Sequence, residues 1–499
     1  MTAPAPALRT GTAAGRGTLL AAILASGMVF LDSTVVNVAL PRLGAELGAT
    51  VAGLQWTVNG YLLMLAAFVL LGGALGDRFG RRRIFLLGVV WFAVASVLCG
   101  LAQGTGALIA ARFLQGAGGA LLTPGSLSVL QASFHPDDRG KAIGTWSGLS
   151  GVSTALGPLL GGWLIDAFSW RWIFFINLPL AVAVLVAAMR WVPESRDESV
   201  SRTGAGQRRF DLAGTLLGAL GLGGLTYALI DAPARGAGAL PVLASALAGV
   251  VAAVVFVLVE RRRGDTAMLP TALFASRLFS VLNVFTVLVY AALGGFSFFL
   301  AVYLQNVVGW SALLTGLATM PLTLLLLVGS ARAGALSARI GPRLPLTVGP
   351  VVAAAGLLLL RRVGAGASYW TDVLPGVVLF GAGLTLVVAP LTASVLAAVA
   401  DRFAGVASGF NNAASRVGSL LAVAALPLLV GLSGRGYEQQ ATLTDAFRGA
   451  MLWCVGLLLA GAAMAVLLIH PPAREAPRAQ PGPPLPASVP PAERRPRGA

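Results

Sequence analysis

The chain is poor in the residues that aqueous chemistry relies on. Charged side chains make up 11% of its 499 positions, against roughly 25% in a soluble protein, so most of the chain is not built to face water. There are two histidines, His135 and His470, and two cysteines, Cys99 and Cys454. No His, Cys or acidic residues recur at metal-ligand spacing, so no metal site is expected. No G-x-x-x-x-G-K-[ST] stretch occurs, which excludes ATP coupling on this chain. Lysine is nearly absent: Lys141 is the only one among 35 basic residues. The net charge is +16. The arginines, however, lie in short stretches between apolar runs, so the expected partner is a lipid bilayer and not nucleic acid. Both cysteines fall inside apolar runs and are expected to pack as small apolar residues. The first apolar run is too long for a signal-peptide core and contains Asp32, so no cleaved leader is expected.

What the sequence has in abundance is apolar length: 57% of residues are hydrophobic. Fourteen runs approach or exceed the ~20 residues needed to cross a bilayer. They lie near 18–41, 53–74, 84–103, 107–130, 142–166, 172–192, 211–231, 239–260, 277–305, 313–332, 345–361, 371–398, 405–431 and 447–469. The expected fold is an all-α polytopic membrane protein. An even number of spans puts both ends on one side. Arg78, Arg81, Arg82, Arg83, Arg139, Lys141, Arg196, Arg202, Arg208, Arg209, Arg261, Arg262, Arg263, Arg339 and Arg343 share that side, while the other carries Arg42, Arg171, Arg235, Arg361, Arg362 and Arg435. The positive-inside rule then makes both termini cytoplasmic. The polar tail 471–499, rich in Pro and Arg, is expected to be disordered.

The stretch Gly73-Ala74-Leu75-Gly76-Asp77-Arg78-Phe79-Gly80-Arg81-Arg82-Arg83 is expected to form a tight charged loop between two spans. It returns as Gly334-Ala335-Leu336-Ser337-Ala338-Arg339-Ile340-Gly341-Pro342-Arg343, at a constant offset of 261, with six of ten aligned positions identical. A charged hinge repeated between apolar runs points to a duplicated membrane protein. The second copy has Ala338 where the first has Asp77. The first copy closely resembles the loop joining helices 2 and 3 in the major facilitator superfamily of secondary transporters. The arrangement of spans is similar to the superfamily's fourteen-span drug:proton antiporters. On that reading the chain divides into a cytoplasmic tail (1–17), a six-helix bundle (18–192), a cytoplasmic linker (193–210), two additional helices (211–260), a second linker (261–276), a second six-helix bundle (277–470) and the tail (471–499). The resemblance implies that the Gly73, Asp77, Arg78, Gly80, Arg81, Arg82 stretch gates the cytoplasmic side.

Asp32 lies inside the first run, and a carboxylate in the bilayer needs a partner, a proton or water. Burial favours the neutral form of a carboxyl, so Asp32 is a candidate proton carrier. A permanently paired residue of assembly is the plainer alternative. Leu31-Asp32-Ser33-Thr34-Val35-Val36-Asn37 also resembles the first-span motif of the fourteen-span antiporters. Arg112 lies about one helical turn from the depth of Asp32, within reach of a long side chain. Arg112-Phe113-Leu114-Gln115-Gly116 is similar to the superfamily's fourth-span motif, which implies a role in proton transfer. The competing reading is an Arg that snorkels to the outer interface. Gly157 and Gly161 are four apart and form a face that another helix can approach closely. Gly157-Pro158-Leu159-Leu160-Gly161-Gly162 resembles the motif that separates antiporters of this superfamily from symporters.

Asn37, Trp56, Asn59, Tyr61, Gln115, Gln305, Asn306, Asn411, Asn412 and Arg416 are candidates to line a cavity. For Arg416 three readings stay open: a distant acidic partner, an anionic substrate group, or the cytoplasmic interface. The function expected is proton-coupled efflux of lipophilic drugs or antibiotics across the cytoplasmic membrane. The working unit is expected to be a monomer, with the proton as coupling ion and no cofactor. Asp32 is the one acid deep in a span, so monovalent cationic or neutral compounds are expected over divalent cations. A proton-coupled uptake symporter is the alternative that the Gly157–Gly162 stretch argues against. An integral-membrane enzyme lacks the clustered nucleophile, base or metal ligands it would need.

Overall fold

A computed structural model describes residues 8–195, 211–264, 269–400 and 403–469. The arginines of the first linker at 196, 202, 208 and 209, His470 and the tail 471–499 lie outside the described residues. Among the described residues the protein is helical, apart from a single bridge between Leu8 and Phe134. Fourteen long helices follow one another. The first six are α1 (Ala13–Leu47), α2 (Val51–Phe79), α3 (Arg81–Gly100), α4 (Thr105–Ser133), α5 (Pro136–Ala167) and α6 (Trp172–Trp191). Then come α7 (Leu212–Arg235) and α8 (Leu240–Arg263). The last six are α9 (Arg277–Asn306), α10 (Ala312–Ile340), α11 (Arg343–Leu360), α12 (Leu374–Ala397), α13 (Ala404–Leu429) and α14 (Gln440–Leu468). Thirteen spans are apolar enough to cross a membrane by composition; α4 falls short of that. Inside lipid the backbone must satisfy its own hydrogen bonds, so apolar runs of this length become helices.

The helices run beyond the apolar runs that announce them. α1 starts at Ala13, inside the stretch expected to be a tail, because the Thr12 side chain accepts from Gly15 N–H and caps it. Leu8 pairs with the far end of α4: its N–H donates to Ser133 O, and His135 N–H donates to Leu8 O. α6 is broken at Ile176, between Trp172–Phe175 and Asn177–Trp191. A π-helical turn, Tyr369–Val373, precedes α12.

The internal repeat is a repeat of structure. Adding 261 to α2 (Val51–Phe79) gives α10 (Ala312–Ile340), both 29 residues long. Thr50 caps one and Ser311 the other. Each ends on a glycine with positive φ, Gly80 at 111° and Gly341 at 85°, a conformation that other residues rarely tolerate. The charged loop expected over 73–83 therefore contracts to Gly80: Gly73 to Phe79 stay helical and Arg81 already opens α3. Packing repeats as well. α4 lies against α1, α2 and α3 as α12 lies against α9, α10 and α11; α1 holds α5 and α6 as α9 holds α13 and α14. The two sets of six meet along two seams, α2 against α13 and α5 against α10. α7 packs on α2 and α13, at the edge of the first seam, and α8 packs on α7.

The ends of the bundle differ. Hydrogen bonds joining the two sets, among the described residues, lie at the end away from Gly80 and Gly341. There Gln55 Nε2 donates to Val423 O and Ala424 O, at 2.7 and 2.9 Å. Gln305 Nε2 donates to Val38 O, and Tyr437 Oη donates to Ala49 O. The carboxylate of Asp166 accepts from Ala312 N–H and Leu313 N–H at the start of α10, where the helix dipole favours a negative charge.

Candidate functional site

Asp32 sits midway along α1, and glycines decide what surrounds it. A Cβ on Gly157 would fall on Thr34 Oγ1, and one on Gly161 would fall on Val35 Cγ2. These two glycines of α5 let it close against one flank of α1 beside Asp32. On the other side of α5, Gly162 meets Ala312 and Leu313 of α10, and Gly316 of α10 meets the carbonyl of Pro158. The Gly157–Gly162 stretch is thus the place where one set of helices contacts both its own α1 and the opposite set.

Asp32 turns toward α4 and is completely buried, as is Arg112. Arg112 Nη1 donates to Asp32 Oδ2 at 2.5 Å. Gln115 Nε2 donates to Asp32 Oδ1 at 2.8 Å, and Asn177 Nδ2 reaches the same oxygen at 3.4 Å. Ser96 Oγ accepts from both amides, at 2.8 and 3.2 Å. Arg112 also donates through Nε to Thr57 O at 3.1 Å and through Nη1 to Gln115 Oε1 at 2.6 Å. The Tyr61 ring lies 4.3 Å from the guanidinium carbon, and Tyr61 Oη donates to Val29 O. A buried ion pair repays its desolvation only when further hydrogen bonds complete it; α2, α4 and α6 supply them, and Ser96 of α3 holds the two amides in place. Removing either partner alone typically costs about 3–5 kcal/mol.

The snorkelling reading of Arg112 does not hold, because its charge is turned inward onto Asp32. Gln115 and Tyr61, named as cavity candidates, belong to this cluster instead. Ser96 and Asn177 were not anticipated. Asn177 carried a signal, a carboxamide between Ile176 and Leu178 in a long apolar run. Ser96 carried none, since a lone hydroxyl in a helix commonly bonds its own backbone.

The remaining candidates scatter. Trp56 packs its indole on Phe113 of α4 and Tyr227 of α7. Asn37 donates to Ser33 O on its own helix. Gln305 and Asn306 sit at the tied end, Asn306 donating to Tyr437 O. Asn59 is fully buried, and neither atom of its amide has a partner. Asn411 Nδ2 donates to Asn283 Oδ1 at 3.1 Å and Thr286 Oγ1 at 2.7 Å, a neutral cluster between α13 and α9. Arg416 is half-buried, with its guanidinium carbon 6.0 Å from the Phe30 ring.

At the hinge, Asp77 accepts from Arg81 at 2.8 Å across a single turn. That cation offsets an acid placed at an unfavourable helix C-terminus. Arg81 N–H donates to Ser195 O, and Glu194 accepts from Arg82 N–H at the start of α3. Arg82 donates to Met189 O near the end of α6. Its repeat counterpart, Arg343, donates to Val466 O near the end of α14. The arginine that closes each bundle is therefore duplicated, while the acid is not.

Chemically, the site is a carboxylate bonded to a guanidinium and two amides, all within the first six helices.

Comparison with known proteins gives a consistent account. The family model described as Major Facilitator Superfamily matches residues 22–423. The chain is 38% identical to the tetracenomycin C resistance and export protein of Streptomyces glaucescens, covering 83% of this chain and 75% of that protein. It is 37% identical to a puromycin resistance protein of Streptomyces alboniger, over 90% of each. It is 34% identical to a methylenomycin A resistance protein of Bacillus subtilis, over 83% of this chain and 88% of that one. Among solved structures, a bacterial homologue of the human lysosomal transporter Spinster, inward-facing and unoccupied, superposes with a TM-score of 0.64 at 18% identity, covering 92% of this chain and 97% of that one.

Proposed function

Because the chain belongs to the major facilitator superfamily, we propose that it is a proton-coupled exporter of lipophilic drugs or antibiotics, residing in the cell membrane with both termini cytoplasmic. The observation that carries the coupling is the buried Asp32–Arg112 pair. The one acid deep in a span lies opposite a cation that must let go before it can be protonated. Export as the direction is supported by relatives named for resistance and export and by the Gly157–Gly162 stretch.

In the proposed cycle the two six-helix sets rock about the seams α2/α13 and α5/α10. With the hinge end open to the cytoplasm, Asp32 is ionised on Arg112 and substrate enters. With the other end open, Asp32 takes an outside proton, Arg112 is released and substrate leaves. The Gly80 and Gly341 hinges, with the Asp77–Arg81 pair, govern the cytoplasmic end. One proton moving inward through 100 mV yields about 2.3 kcal/mol, and each unit of pH gradient about 1.4 kcal/mol. Together they sustain a gradient of roughly a few hundred-fold for a neutral substrate.

The test is efflux from cells, or from vesicles holding the purified chain, with an imposed proton gradient and no ATP. Uphill transport that a protonophore abolishes is the expected result. Transport indifferent to the gradient overturns the coupling, and accumulation of the test compounds inside overturns the direction.

A further inference from the structure

Arg416 lies near the midpoint of Ala404–Leu429, about 18 Å from either end of α13 at 1.5 Å per residue. That is too deep for its side chain to reach a membrane boundary. Its Nε has no hydrogen-bond partner. None of the ion pairs among the described residues includes it. Two of the three readings open from the sequence, a distant acid and the interface, therefore fail. A cation at this depth is costly to keep without a use.

What surrounds it is informative. Phe30 of α1 presents its ring at 6.0 Å, and Ser419, on the next turn of α13, donates to Tyr290 O of α9. Gln55 of α2 is bonded to the α13 backbone. One turn further in, on the same face of α2, lies Asn59, whose amide is buried with both atoms unpartnered. The meeting of α1, α2, α9 and α13 therefore holds an unused cation, an unused amide and aromatic faces. The neighbouring acid is not available to a ligand, since Asp32 is fully occupied by Arg112, Gln115 and Asn177.

We propose that Arg416 is the charge-recognition residue of the transport site and that the exported class is a lipophilic, ring-bearing organic monoanion. Its carboxylate, enolate or phenolate pairs with the guanidinium, whose planar fork fits such groups. Its ring lies on Phe30, and Asn59 takes a polar substituent. This rests on the exporter reading above and replaces the cationic or neutral substrate expected from Asp32.

The test uses the full chain in proteoliposomes and three matched probes: anthracene-2-carboxylate, its N-methylamide and the trimethylammonium analogue. Equilibrium binding is read by probe fluorescence with no gradient, so a failure of proton coupling leaves this arm untouched. Gradient-driven transport is read separately. The parent is expected to bind the carboxylate at least tenfold more tightly than the amide, with the ammonium weakest. R416Q should lose that preference while keeping amide binding, R416K should keep part of it, and R416E should favour the ammonium. Equal or better binding of amide or ammonium by the parent overturns the proposal, as does binding of none of the three. A carboxylate preference that survives in folded R416Q overturns it too. Should R416Q not fold, the parent's ranking and R416K decide.

Discussion

α2 and α10 have the same length, the same kind of N-cap and the same left-handed glycine at their ends, yet Asp77 meets Arg81 at one hinge and Ala338 stands in that place at the other. The contrast continues deeper. Behind the first hinge lies a cluster of ionisable Asp32 and Arg112 with Gln115, Ser96 and Asn177. Behind the second lie neutral Asn283, Thr286 and Asn411, with Arg416 unpaired. What the duplication kept is geometry: helix lengths, glycine contacts, and the Arg82 and Arg343 caps. What diverged is charge. In the proposed cycle, rocking two bundles requires matched shapes, whereas carrying one proton requires only one carboxyl. A second deep acid would add desolvation cost without need.

The largest test of that asymmetry is at the carboxylate. Asp32→Asn should lower gradient-driven transport at least a hundredfold and destabilise the protein by about 3–5 kcal/mol, because Arg112 is left uncompensated. The double variant D32N/R112Q should regain most of the stability and none of the transport. Transport assays in vesicles together with thermal unfolding check both halves of the statement. Uphill transport by D32N would end the assignment. In the second half, Asn411→Ala removes only neutral bonds, about 1 kcal/mol each, and should leave coupling to the gradient in place.

Packing should respond alike in both halves. A Cβ at Gly161 falls on Val35, and one at Gly418 falls on the Val287 backbone. Gly161→Val and Gly418→Val should each cost about 1–3 kcal/mol from overpacking, seen as matched losses in thermal stability. A large difference between them would show that the shared skeleton is not equally stressed.

The hinges should again differ. Asp77→Asn should cut transport several-fold and raise labelling of a single cysteine placed between α4 and α5, in a background lacking Cys99 and Cys454. Ala338→Asp should improve neither. Parent-like labelling and transport in D77N would reduce Asp77 to a solvated charge.

The smallest effect belongs to neither half. Burial pushes the Asp211 carboxyl up. Hydrogen bonds, among them those from Arg263 and Gly214 N–H, outweigh that and hold it below the usual carboxylate range. Its contribution is present above the pH where an unfolded aspartate ionises, and it is lost as pH falls through the lower folded value. Asp211→Asn keeps a competent N-cap but loses the ion pair with Arg263, and should therefore weaken the α7–α8 pair by about 1 kcal/mol at neutral pH. The gap should close in acid, as read by thermal unfolding across pH.

Much of this molecule was legible in its sequence, for identifiable reasons. Lipid demands long apolar runs, so the number of spans could be counted. The 261-residue offset survived because hinge glycines and arginines tolerate few replacements. Asp32 and Arg112 stood out because ions are rare in such runs. Helix ends were not legible, since hydropathy reports the thickness of lipid while helices extend past it, α1 from the Thr12 cap and α10 as far as Gly341. Nor could the sequence say that Gln115 and Tyr61 would turn to Arg112 and Trp56 to Tyr227. Those directions are set by how glycines let α4 and α5 approach, a tertiary matter.

That same glycine-rich, charged α4 has a consequence for how the protein is made. Of the long helices it alone falls short of the mean hydropathy of a membrane span, and it carries Arg112 in its first third, a charge that lipid penalises by up to about 3 kcal/mol. Its principal neighbours, α2 and α3, emerge from the ribosome before it. Gly116 and Gly118 give it close fits against Tyr61 and Phe92 on those two helices. Insertion of α4 is then an act of assembly: the nascent chain must hold α2 and α3 at the exit site until the fourth helix arrives to claim them.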